Sequence, residues 1–139
     1  MGYQQNVNQG SLSIMIPNRK ISETILEFGD PILGELPENA SKEEFEAAMR
    51  LIVSAWNAVV LDDWNNTREF EKAFLKALMP IPKEFESIPR KLIKRKKRKY
   101  SLDPRAVGNY WVIEKNGELV FRAEARLDLQ GVENIGVMQ

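Results

Sequence analysis

Eight of the ten residues from Arg90 to Lys99 are basic: Arg90, Lys91, Lys94, Arg95, Lys96, Lys97, Arg98 and Lys99, interrupted only by Leu92 and Ile93. A cation held near a phosphate releases condensed counterions, so such a run is suited to salt-sensitive, sequence-independent binding of RNA or DNA. Arg105 is placed to extend that surface, and Tyr100 and Trp111 are candidate platforms on which bases would stack. A second reading uses the same charges differently. Cations in the last turns of a helix complement its dipole. A basic segment also docks readily on an acidic surface, within one chain or between copies of a homo-oligomer. On a helix, eight basic residues in ten cannot share one face, so at most half of them would meet a single groove.

The carboxylates offer less. Asp62 and Asp63, with Glu69 or Asp30, are the candidate Mg²⁺ ligands, since hard cations need carboxylate oxygens. Neighbouring positions on a helix point apart, however, and acids near a helix end are commonly just solvated. The chain has no cysteine and no histidine. Thiol catalysis, cysteine-based zinc sites and the commonest general base are therefore excluded. No phosphate-cradling glycine loop, nucleophile elbow or dinucleotide fingerprint is present. The sequence reads as non-enzymatic, with no cofactor and no metal centre.

Twenty basic residues balance twenty acidic ones, but the charges are segregated. Residues 21–79 hold 5 basic and 12 acidic residues, net −7, while 80–106 hold 10 and 3, net +7. The C-terminal part, 107–139, is net −2. Hydrophobic residues make up 43% of the 139, including three Trp and six Phe, enough for a real core. No apolar run reaches the roughly 20 residues needed to cross a bilayer. The polar, Gln/Asn-rich start lacks the pattern of a signal peptide, so a cytoplasmic location without membrane attachment is expected.

Residues 1–20 read as a polar tail, within which 11–16 alternate as a short edge strand would; Met15 is an alternative initiator. A helix is expected from about Ser22 to Gly29, then a short turn begun by Asp30-Pro31. The strongest helix signal follows. Ser41 and Glu44 form a capping box, and Phe45, Ala48, Met49, Ile52, Trp56, Val59 and Val60 repeat at helical spacing. That helix should be central and end near Asp62. Asn66 or Thr67 is the expected cap of the next, whose apolar face is Phe70, Ala73, Phe74, Ala77 and Leu78. One or two helical turns span Lys83 to Ile88, and Pro89 either kinks that helix or starts a new one. Past Tyr100 the period changes to that of strands. Asn116-Gly117 predicts a two-residue type I′ hairpin loop with Lys115 opposite Glu118. Tyr110, Val112, Leu119, Phe121 and Ala123 should then share the core face, with Trp111 placed for a cation–π contact with Arg122.

The expectation is an α+β fold: three to four helices around a central helix 41–61, followed by a C-terminal antiparallel β-hairpin at about 108–127. One domain is expected over 21–128, between the tail and frayed residues 129–139. Two functions fit: a binding protein whose segment 90–99 meets nucleic-acid phosphates, or an interaction or homo-oligomerising module. A carboxylate and Mg²⁺-dependent enzyme stands behind both.

Overall fold

The computed structural model describes residues 19–127. The expected tail, edge strand and alternative start at Met15 fall on residues outside this range, as do residues 129–139. Within it are five α-helices: α1 (Ile21–Phe28), α2 (Asp30–Leu33), α3 (Lys42–Asn65), α4 (Glu69–Ala77) and α5 (Ile88–Lys99). A 3₁₀ turn at Lys83–Phe85 precedes α5, and the strands β1 (Ala106–Lys115) and β2 (Glu118–Arg126) close the order. The fold is α+β, as the change of period implies. No helix among the described residues is long and apolar enough to cross a membrane.

The central helix begins where its capping box requires. The Glu44 amide donates to Ser41 Oγ at 3.0 Å, and the Ser41 amide donates back to Glu44 Oε1 at 2.8 Å. From Ile52 to Asp62 every residue is buried, because α1, α4, α5 and β1 all pack against this one rod. Gly29, between α1 and α2, allows that approach: a Cβ there would lie 2.5 Å from Ile52 Cδ1. Phe28 and Trp56 meet edge to face with centroids 5.2 Å apart, and Tyr100 completes a cluster of three rings.

Helix α3 runs three residues past the expected end, to Asn65, and stops where Asn66 adopts the left-handed conformation (φ 56°, ψ 48°). The extra turn carries Asp62 inside the helix and gives it a capping task at a distance. Its carboxylate accepts from the amides of Phe70 and Glu71 at 2.8 and 3.0 Å and from the Thr67 hydroxyl at 2.9 Å. The cap of α4 is therefore built mainly by the preceding helix. Of the two expected caps, Thr67 contributes a longer bond from the Glu69 amide at 3.3 Å, and Asn66 ends α3 instead. Pro89 lies in the first turn of α5 and starts a new helix rather than kinking an old one.

The hairpin has the register that its loop imposes. Lys115 pairs with Glu118, Ile113 with Val120, Val112 with Phe121, Trp111 with Arg122 and Tyr110 with Ala123. Asn116 and Gly117 have φ of 54° and 79°, the two positive values of a type I′ turn. The ladder extends two residues further than expected, to Ala106, across an irregularity between Val107 and Tyr110. Polar side chains of α3 hold that extension. Asn57 donates to Val107 O at 3.0 Å and accepts from Val107 N at 2.8 Å, while Trp56 Nε1 donates to Arg105 O at 2.7 Å. Val112 and Phe121 are buried; Tyr110, Leu119 and Ala123 on the same face are half-buried.

Asn57 is fully buried, so Asn57→Ala leaves both Val107 backbone groups without partners. A loss of about 2–4 kcal/mol is expected in urea denaturation, with early loss of amide exchange protection at Val107. A loss below about 1 kcal/mol would show that the clamp is replaceable by water.

Candidate anion-binding face of α5

Four apolar or inward-turned residues, Pro89, Leu92, Ile93 and Lys96, fix how α5 sits on the core. That choice sorts the eight basic residues into three groups.

The first group is internal. Lys96 is 1% exposed. Its ammonium donates to Tyr100 O at 2.7 Å and Asp103 O at 3.0 Å and lies 4.4 Å from the Trp56 ring centroid. Burial lowers its pKa from 10.5 to about 8, against the pull of Asp103 and Asp63. Arg105 is equally enclosed. Its guanidinium grips the Asp103 carboxylate at 2.7 and 2.9 Å and also donates to Arg19 O and Thr24 Oγ1. Both cations are therefore part of the joint between α5 and β1.

The second group is tied at the flanks. Arg95 donates from Nε to Phe28 O and from Nη2 to Glu27 O, each at 2.8 Å, completing the C-terminus of α1. Lys97 forms an ion pair with Glu71 at 2.9 Å. Tyr100 is held in the ring cluster, and its hydroxyl donates to Glu27 Oε1 at 2.9 Å. Burial, then that bond, raises the Tyr100 pKa to about 12. The same Tyr100 bond, followed by the Arg19 hydrogen bond, lowers that of Glu27.

The third group is Arg90, Lys91, Lys94, Arg98 and Lys99, all exposed and without an ion pair among the described residues. At 3.6 residues per turn, Arg90, Lys91, Lys94 and Arg98 fall within an arc of about 100°, opposite the buried residues. Lys99 lies to one side of it. Trp111 is 44% exposed on the hairpin face opposite the core, paired across the strands with Arg122. The cation–π contacts of the described residues lie elsewhere, Lys96 over Trp56 and Arg95 over Tyr100, so the expected Trp111–Arg122 contact is not formed.

Along one side of the four-cation stripe, α2 with the residues just after it and α5 flank a half-open cleft of about 640 Å³. Pro31, Ile32 and Glu35 form one wall and Ile88, Lys91, Leu92, Lys94, Arg95 and Arg98 the other. Sequence reading missed it. The spacing of Ile88, Leu92 and Arg95 carried part of the signal, but nothing local pointed to α2 as the opposite wall.

The carboxylates separate as well. Both oxygens of Asp62 are occupied by the α4 cap, and Asp63 is exposed, its pKa raised chiefly by desolvation. Among the described residues no group of three or more acids forms a metal-holding cluster. No protein-family model, curated protein or solved structure matches the chain.

Lys96 gives the fold a pH signature. An unfolded lysine titrates near 10.4 and folded Lys96 at about 8, so between these values the unfolded chain binds more protons and stability rises with pH. The neutral amine retains two N–H groups for its two carbonyl partners. Between pH 7 and 9.5 the stability of wild type relative to Lys96→Met should rise by about 2 kcal/mol, measured by urea denaturation at each pH. Tyr100 acts oppositely only above about pH 10, where its raised pKa makes stability fall. A pH-independent difference would mean that Lys96 keeps an ordinary pKa.

Proposed function

We propose that this protein is a non-enzymatic, phosphate-backbone-binding protein that meets RNA or DNA through the outward face of α5. The observation that carries this reading is the stripe of Arg90, Lys91, Lys94 and Arg98, without an ion pair among the described residues and on one side of a helix whose opposite side is anchored in the core. The stripe spans nine residues, a rise of about 12 Å over its eight steps at roughly 1.5 Å each. One strand of a duplex presents a charge about every 3.4 Å along the axis, so the stripe faces three or four phosphates. Lys99 adds to the field from one side. Contacts of this kind select polyanions and carry no base readout. A cytoplasmic site of action accords with such a partner.

The rival reading, a protein-interaction or homo-oligomerising module, draws on the ion pair between Lys97 and Glu71. That contact supports the view that this chain's basic and acidic parts are complementary. Among the described residues it leaves the stripe itself unneutralised, which is why the nucleic-acid reading is preferred.

Binding of duplex DNA and RNA across a salt series tests the proposal. Four phosphate contacts predict a slope of log K against log salt of about −3.6, and Arg90→Gln/Lys94→Gln should reduce its magnitude by about 1.8. Neither substitution touches a buried group. No affinity at low salt, or affinity unchanged in the double variant, would overturn the reading. Salt-reversible self-association in sedimentation, without nucleic-acid affinity, would establish the rival.

A further inference from the structure

We infer that the cleft between α2 and α5 is a binding site for a small amphiphilic oxyanion: an apolar chain or ring carrying one carboxylate or phosphate head. This inference rests on the cleft and not on the nucleic-acid reading.

The volume of about 640 Å³ lies within the range of small-molecule sites. Its lining is divided in a way that a polyanion backbone does not use. Ile88 and Leu92, one turn apart on α5, face Pro31 and Ile32 of α2 across an apolar floor. Lys91, Lys94 and Arg98 are spaced three and four residues apart and form a cationic lip above it. An oligonucleotide phosphate would satisfy the lip and leave the floor wet. An uncharged hydrocarbon would fill the floor and leave the lip unused. A single molecule with both parts satisfies both.

Arg95 adds a fixed element. Its Nε and Nη2 are held by the Phe28 and Glu27 carbonyls, which orient the guanidinium at the wall without cancelling its charge. A cation ordered before the ligand arrives lowers the entropic cost of binding. Glu35 is the one carboxylate among the lining residues. Four cations against one acid select an anion, and Glu35 disfavours a ligand with a second negative group nearby. The occupant is thus a free, singly headed amphiphile rather than an extended polyanion or a membrane surface.

Octyl phosphate is the probe, titrated calorimetrically against the full chain, with amide NMR shifts to locate it. One molecule should bind per chain, with shifts grouped at residues 31–35 and 88–98. Octanol and inorganic phosphate should each bind at least about tenfold more weakly. Ile32→Glu should weaken octyl phosphate about tenfold or more, and Glu35→Gln should tighten it severalfold. Lys94→Gln/Arg98→Gln, on the exposed lip, should weaken it too and guards against Ile32→Glu acting through misfolding. Arg90→Gln/Lys99→Gln should leave octyl phosphate unaffected while weakening any nucleic-acid binding, which separates this site from the proposed function. Equal affinity for octanol, equal affinity for inorganic phosphate, shifts elsewhere on the chain, or binding only to phosphatidylglycerol vesicles would each overturn the inference.

Discussion

The structure depends on a set of polar bonds from one face of α3 to the backbone that leads into the hairpin. Trp56 and Trp64 donate to the carbonyls of Arg105 and Pro104, and Asn57 engages both backbone groups of Val107. A two-stranded hairpin buries too little to stand alone in water. Here it is held by directional bonds at its root and by Val112 and Phe121 in the core. The Trp56 and Asn57 bonds are buried, so each lost partner there leaves a desolvated group behind. These bonds join the helical part and the hairpin at this junction.

The same junction explains why a run of cations tolerates its own repulsion. Lys96 is drawn into the joint by two carbonyls and an indole face, Arg105 is matched by Asp103, and Arg95 finishes α1. Those positions convert charge into geometry. The exposed cations project a field outward, and Arg95, bonded only to neutral carbonyls, keeps its charge at the cleft wall. The +7 segment is thus a mixture of three structural cations, which orient three elements, and a larger set displayed on the surface.

Much of this was legible in the sequence, for identifiable reasons. The capping box at Ser41 and Glu44, the helical repeat from Phe45 to Val60 and the Asn116-Gly117 loop are local signals, and each led to the observed element or register. What was not legible was long-range. Asp62 read as an acid near a helix end, but it is buried and caps α4, because α3 continues to Asn65. Lys96 and Lys94 are the same residue type in one basic run, and the direction of Leu92 and Ile93 decides which of the two turns inward. Tyr100 and Arg105 looked like surface groups because their partners, Glu27 and Thr24, lie more than seventy residues earlier. The cleft needed α2 beside α5, a juxtaposition that no spacing encodes.

The Asn57 amide has one more consequence. It bonds Val107 on the side of β1 that faces away from β2, and so occupies the donor and acceptor that an added strand would use. A side-chain amide here imitates the backbone of a neighbouring strand for the length of one residue. The outer edge of β1 is thereby closed at its buried end, where a second polypeptide would otherwise begin to pair. Through Asn57 the central helix covers that stretch of the β1 backbone.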